Sequence, residues 1–433
     1  MKNTFVISSP FDTYSGYGAR SRDVIKAIIE MDRYNVKLLS QKWGNTPFGF
    51  CKDNPEWEFL LDLVIPQPMN DQPDIWAQIT VPNEFQPVGK YNIGITAGLE
   101  TDLVPGEFIE GANRMDLNLV SSEHSKRAFE ASQFEKKDQK GKPLGKTFLT
   151  KPIEVLFEGA NLDIYFPDDK PCLVDFNIKE SFAYLFVGHW MQGDIGEDRK
   201  NVGLMIKAFF ETFKNKSKKP ALIIKTSQVG SSYIDREAIL SKIKSIRETV
   251  NSNDLPNVYL LHGEFTDKEM NSIYNHSKVK AMISLTKGEG FGRPLLEFSL
   301  SKKPIIVSGW SGHMDFLKPE FNIMIGGKLT PVHPSTQNKF VVNQGFNWFS
   351  PDHGQIGHSL KEVFENYKKY KDLGKRQSHY SRTNFSWEKM KELLSSILDK
   401  NVPEIATKIE LKLPKIDTKL QLPQLPKLEK LNG

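Results

Sequence analysis

The sequence predicts an α/β chain of two doubly wound domains facing a central cleft, and three observations carry that prediction. Its 433 residues exceed what one ordinary core accommodates. Two separate series of short apolar runs alternate with stretches of helical spacing, the pattern of buried parallel strands joined by crossover helices. A break bearing Pro167 and Pro171 separates the two series.

The first series opens with Phe5-Val6-Ile7, a Gly/Ser/Tyr loop, a helix from Ala19 to Met31, and a strand at Val36-Lys37-Leu38-Leu39. Asn92–Ile95, Leu117–Val120 and Ile153–Leu156 continue it. The second runs through Tyr184–Val187, a helix over Val202–Phe213, then Ala221–Ile224, Val258–Leu261, Ala281–Ser284 and Pro304–Val307. The expected domains are therefore residues 1–170 and 171–375. Ligands of such sheets bind beyond the carboxyl ends of the strands. The stretch 401–433 differs: it mixes Pro, Lys and Leu/Ile without aromatic residues, and Pro414, Pro423 and Pro426 forbid one continuous helix. Two readings stay open for it, a poorly ordered terminus and an extended segment that docks a protein partner.

Composition narrows the class. Hydrophobic residues at 39% and charged residues at 26% describe a soluble globular protein. The apolar run before Pro10 is too short for a signal segment, and no run approaches the roughly 18 residues that span a bilayer. Cys51 and Cys172 lie far apart and suggest neither disulfide framework nor metal knuckle. A cytoplasmic location is expected. The formal charge of +5 suits an anionic small substrate and is too weak to argue for nucleic acid. Lys136, Lys137, Lys140, Lys142 and Lys146 cluster around Gly141 and Gly145, as at a solvated hairpin tip.

The stretch richest in chemistry is Lys287-Gly288-Glu289-Gly290-Phe291-Gly292-Arg293-Pro294-Leu295-Leu296-Glu297. It follows a strand, and Pro294 suits the first turn of a helix. Glu289 then lies in the loop and Glu297 about one turn into the helix. Gly290 and Gly292 let backbone N–H groups approach a ligand, and the helix start favours an anion such as a diphosphate. Carboxylates accept hydrogen bonds from pairs of sugar hydroxyls, which accounts for acids beside an anion site.

Two glutamates with seven residues between them, around Gly-Phe-Gly-x-Pro, resemble the signature of the family 4 retaining glycosyltransferases. That resemblance implies a GT-B fold of two Rossmann-like domains, the first (1–170) for the acceptor and the second (171–375) for the nucleotide-sugar donor, with Glu289 on donor-sugar hydroxyls and Glu297 on the nucleotide ribose. It also implies that backbone at Gly290, Phe291 and Gly292 meets the sugar and diphosphate. Phe186-Val187-Gly188-His189-Trp190 and Asp198-Arg199-Lys200-Asn201 resemble the family's strand and basic segment, in which Arg and Lys neutralise the diphosphate. Lys200 matches the family lysine; His189 stands where the arginine is usual, and Arg199 could supply the missing charge. Ser15-Gly16-Tyr17-Gly18 resembles the family's glycine loop near the donor phosphates and the acceptor, and Gly16 and Gly18 are donor-side candidates. The 151–167 segment resembles the exit from the first domain, with Asn161 replacing Asp, and Ser308–Phe316 resembles a loop of the second domain. Phe385-Ser386-Trp387-Glu388 resembles the closing helix, placed at 376–400, that packs at the junction. The likeness runs from residue 4 to about 398.

The first domain is less transparent. Gly94–Asp102 lacks the histidine that many relatives carry; Glu100 or Asp102 would either orient the acceptor or cap a helix. His124 reads as a helix-start residue. The reaction implied is retaining transfer of a sugar from a nucleoside diphosphate sugar to an acceptor hydroxyl, by same-face attack with a donor phosphate oxygen taking the proton. No Asp-x-Asp motif is present, so neither metal nor cofactor is expected. The alternatives are a phage-type sugar transferase acting on nucleic acid and a catalytically silent GT-B scaffold subunit.

Overall fold

The computed structural model of the chain describes residues 2–405, except 66–68, 70, 138–139, 171, 175–176, 192, 229, 231, 338–341 and 344. Two six-stranded sheets form its framework. In the first, the spatial order is Asn35–Ser40, Thr4–Ser9, Ile75–Ile79, Tyr91–Ile95, Leu117–Val120 and Ile153–Val155, all parallel. In the second it is Val258–Leu261, Ala221–Lys225, Ala183–Val187, Val279–Ser284, Ile305–Ser308 and Ile323–Ile325, again all parallel. The apolar runs of the sequence become these strands because both faces of each sheet are covered by helices. The expected two-domain architecture is the observed one.

In the second sheet the strand order reverses between Ala183–Val187 and Val279–Ser284. A crevice opens at such a reversal, beyond the carboxyl ends of the two strands. The loops leaving these strands carry the basic segment and the glutamate motif respectively, so the topology alone brings both motifs to one place.

Local signals set the ends of the flanking helices. Ser15 caps the helix Gly16–Glu30, its hydroxyl accepting from the Gly18 N–H, so the Gly16–Gly18 stretch read as a loop is the first helical turn. Thr266 and Glu269 form a capping box on the helix Asp267–Asn275. The lysine-rich stretch is a hairpin, Gln133–Lys137 against Pro143–Phe148. An antiparallel ribbon that the sequence did not announce, Gly327–Pro331 with Asn347–Pro351, extends the second domain.

The helix Tyr367–Asn384 runs through position 375, where the sequence reading ends the second domain. The next helix, Trp387–Asn401, belongs to the first domain's core. Its Trp387, Met390, Leu394, Ile397 and Leu398 pack among Ile25, Ile28 and the first sheet's apolar residues. The crossing is fixed by a parallel bridge between Ala160 and Ser386. Gly159 makes it possible: a Cβ there would lie 2.6 Å from the Ser386 carbonyl oxygen. Val402 and Ile405 continue onto the same core. The tail from 406 onward, where a docking segment was one reading, lies outside the described residues. Among the described residues no helix is long and apolar enough to cross a membrane.

Candidate active site

Asp198 shapes the basic segment. Its carboxylate accepts the Val202 N–H at 3.1 Å, and Asn201 takes a left-handed φ of 58°, so the chain turns sharply into the helix Val202–Phe213. The turn aims Arg199 and Lys200 at the glutamate loop, and the Arg199 carbonyl accepts the Lys287 N–H at 2.8 Å, tying the two loops together.

Lys200 Nζ donates to Glu289 Oε1, both side chains being buried. Arg199 Nη1 lies 3.6 Å from Glu289 Oε2 and 3.3 Å from Glu100 Oε1, and donates to the Gly288 carbonyl at 3.1 Å. Burial pushes the Glu289 carboxyl up, but Lys200 and Arg199 outweigh it and hold the group at about 2. Burial pulls Lys200 down, and Glu289 works against that. A carboxylate held this low is ionised at neutral pH, and its bond to the Lys200 ammonium is the charge-assisted kind. The Glu289 N–H donates to Ser311 Oγ at 2.9 Å. Ser311 itself holds a left-handed φ of 86° beside buried His313, whose Nε2 meets the Ser308 carbonyl at 2.7 Å. That carbonyl assigns the proton to Nε2.

Glu297 sits in a separate cluster. It lies on the helix Arg293–Ser299, which follows Gly292 at φ 97° with Pro294 in its first turn. Arg293 Nε donates to its Oε1 at 3.0 Å and the Tyr274 hydroxyl to its Oε2 at 3.1 Å, while Arg293 Nη1 crosses to Asp23 of the first domain at 2.7 Å. Burial raises the Glu297 carboxyl to about 7, only partly offset by Arg293.

The two domains touch at the glutamate loop. Ser121 and Ser122 hydroxyls donate to the Gly290 carbonyl at 3.1 and 2.6 Å. A Cβ on Gly290 would stand 2.3 Å from the Ala97 carbonyl oxygen, and one on Gly288 would stand 1.9 Å from that of Glu100. These glycines therefore serve the approach of the facing domain in this conformation. Gly288→Ala is expected to hold the domains apart, leaving each one folded. Small-angle scattering should show a larger radius of gyration with unchanged far-UV dichroism; identical scattering would contradict this.

The other sequence-predicted positions fall as follows. Gly16 is exposed, and Gly18 packs where a Cβ would lie 2.4 Å from the Thr13 carbonyl oxygen. Phe291 points away from the loop into the second core, 4.9 Å from the Phe316 ring. Asp102 accepts both the N–H and the side-chain amide of Asn347, at 2.7 and 2.8 Å, as an interdomain clasp. Neither Glu100 nor Asp102 caps the helix Gly106–Ala112, whose N-cap is Pro105. His189 Nδ1 is 3.1 Å from Ser227 Oγ. The structure thus joins Arg199, Lys200, Glu289 and Glu100, and sets Glu297 apart with Arg293, Tyr274 and Asp23. Sequence reading passed over those last three; Arg293, inside the motif and one turn before Glu297, was the one available signal. It also passed over Glu158, a buried acid whose carboxyl is raised by burial while Arg20 and Arg293 oppose the rise.

With this geometry, the chain has the GT-B fold, two Rossmann-like domains meeting at a shared cleft. No family model and no curated protein sequence matches it. Solved structures do. A glycosyltransferase from Rickettsia africae ESF-5 superposes with a TM-score of 0.61 at 12% identity, covering 93% of this chain and 100% of its own. Sucrose-phosphate synthase from Thermosynechococcus elongatus gives 0.59 at 11%, covering 92% and 99%. Anabaena HepE in complex with UDP and glucose gives 0.57 at 11%, covering 92% and 100%.

Proposed function

We propose that the chain is a retaining glycosyltransferase that moves a sugar from a nucleoside diphosphate sugar to an acceptor hydroxyl. The observation that carries this reading is the Lys200–Glu289–Arg199 cluster at the reversal point of the second sheet. Structural neighbours with the same fold, including HepE in complex with UDP-glucose, support it. Lys200 and Arg199 face the departing diphosphate, Glu289 takes hydroxyls of the donor sugar, and Glu297 takes the ribose. The bond from the anomeric carbon to the phosphate oxygen breaks as the acceptor oxygen bonds to the same face. The acceptor proton passes to that phosphate oxygen, so no protein base is consumed. Positioning and fixed charge do the catalysis.

The reaction is proposed to be metal-independent, since the two cations meet the charge that a divalent ion would otherwise meet. Calorimetric titration with UDP, GDP and ADP is the direct test, together with donor hydrolysis in the presence of EDTA. Micromolar binding of one nucleotide and EDTA-resistant release of its sugar are expected. Failure of all three to bind would overturn the reading, and abolition of hydrolysis by EDTA would overturn the metal-independent mechanism.

A further inference from the structure

The chain's formal charge of +5 is small, but it is not spread evenly. The helix Tyr367–Asn384 carries Lys368, Lys369, Lys371, Lys375, Arg376 and Arg382 against a single acid, Asp372. That net +5 equals the excess of the whole chain, so the rest of the sequence is formally neutral. All six cations are exposed. The buried side of the helix is the opposite one: Gly374, Gln377, Ser378 and Ser381 pack on the second domain. There Ser381 Oγ lies 2.8 Å from Ser299 Oγ, and Gln377 Nε2 donates to the Phe316 carbonyl at 2.8 Å.

Helical period arranges these cations in rows. Lys368, Lys371, Lys375, His379 and Arg382 recur every three or four residues and so share one face. At 1.5 Å per residue the row is about 21 Å long, the reach of about six phosphates of a stacked strand at roughly 3.4 Å each. More cations lie beside it. Gly374 brings the helix so close to the turn Lys302-Lys303 that a Cβ there would stand 2.6 Å from the Lys303 carbonyl carbon. Lys302 is exposed, and Lys371 is a neighbouring cation of both Lys280 and Lys303. Acids at this face are already engaged: Asp372 with Lys375 at 2.7 Å, and Glu362 with the Asn366 side-chain amide at 3.2 Å and the Tyr370 hydroxyl at 3.4 Å. Cations at this density repel one another, and a polyanion relieves that repulsion.

Shape narrows the class of polyanion. The C-terminal half of the row borders a groove of about 530 Å³ whose walls include Phe321, Lys375, Arg376, His379 and Tyr380. A bilayer plane does not enter a groove, and this helix exposes no large hydrophobic side chain to anchor in one. A flexible strand does enter: its phosphates follow the cations while a base or sugar settles against the two rings. We propose that this helix face binds single-stranded nucleic acid, its phosphates along Lys368, Lys371, Lys375 and Arg382 and one nucleoside in the groove at Phe321 and Tyr380. None of these residues belongs to the candidate active site, so the surface does not rest on the glycosyltransfer reading.

The test follows the fluorescence anisotropy of a labelled oligothymidylate of about 20 nucleotides with the full chain, between about 50 and about 200 mM salt. Four phosphate contacts give a slope of log affinity on log salt of about −3, hence roughly a 50-fold loss over that interval. Lys368→Ala/Lys371→Ala/Arg382→Ala should flatten the slope to about −1 with unchanged far-UV dichroism, since all three positions are exposed. Lys136→Ala/Lys142→Ala/Lys146→Ala removes as much charge from the exposed hairpin and should leave the slope as it was. Tyr380→Leu should weaken the strand about fivefold or more and keep the slope. The wild-type slope stands apart from the folding of any variant. No binding at the lower salt, equal losses from the two triple variants, full affinity in Tyr380→Leu, or binding confined to a duplex of the same length would each overturn the proposal. So would tighter binding to vesicles of phosphatidylglycerol and phosphatidylcholine than to the strand. Strand binding without any binding of UDP, GDP or ADP would leave this surface standing and sink the glycosyltransfer reading instead.

Discussion

Lys200→Ala is expected to cut turnover on the order of 100-fold or more, with a smaller effect on donor affinity. The argument is electrostatic. Negative charge grows on the leaving diphosphate as the glycosidic bond breaks, and a cation fixed beside it binds the transition state more tightly than the bound donor. Lys200 is fixed: it is buried, held by the Asp198 turn, and already bonded to Glu289. The same burial complicates the simple variant. Removing Lys200 leaves Glu289 buried with only the longer 3.6 Å contact to Arg199, and half of a buried ion pair is costly to retain. A fall in melting temperature is therefore expected alongside the fall in rate. The double variant Lys200→Ala/Glu289→Ala separates the two, because it removes the orphaned charge: stability should recover and turnover should not. Arg199→Ala should lose less, since its guanidinium is shared among Glu100, Glu289 and the Gly288 carbonyl. Full turnover in Lys200→Ala would refute the assignment of the diphosphate to this segment.

The fold was legible because parallel strands buried on both faces write themselves as short apolar runs, and the runs 5–7, 92–95, 184–187 and 281–284 are such strands. The glutamate loop and the basic segment were legible for a second reason, their resemblance to family motifs; that they meet follows from the strand order, in which each leaves a strand beside the same topological reversal. Contacts between domains were not legible. Asp23–Arg293 and Asp102–Asn347 join residues 270 and 245 positions apart, and neither pair has a local pattern in the sequence. The glycines misled in an instructive way. A glycine requirement reports close approach without saying to what, and Gly288 and Gly290 meet the backbone of the facing domain. Glu100 and Asp102 show the same limit: two acids in one loop, one of which faces Arg199 while the other holds a backbone N–H across the junction.

Glu297 gives the last expectation, a nucleotide affinity that rises with pH around neutrality. Its carboxyl is raised to about 7, first because burial disfavours the charge, with Arg293 and the Tyr274 hydroxyl pulling back toward the ionised form. Ribose hydroxyls are donors, so only the ionised carboxylate accepts from both of them. Its charged fraction climbs from about a tenth at pH 6 to about nine-tenths at pH 8, so affinity should rise roughly tenfold across that interval. The diphosphate also gains charge near pH 6, and Glu297→Gln isolates the protein's share, since its residual slope belongs to the ligand alone. Glu297→Ala should lose roughly 10- to 150-fold of UDP affinity, corresponding to about 1.5–3 kcal/mol for a hydrogen bond to a charged group. Glu289→Ala should keep bare UDP affinity and lose preference among UDP-sugars. Stability runs the opposite way to affinity. A carboxyl raised by folding binds its proton more tightly in the native state, so this group's contribution is present in acid and is lost as pH rises from its unfolded value of 4.5 through about 7. Melting curves of the wild type against Glu297→Gln between pH 5 and 8 should therefore converge at the acid end and part toward the alkaline end, with the wild type falling. Parallel melting curves together with the same pH slope of UDP binding in the wild type and in Glu297→Gln would place Glu297 outside the nucleotide site.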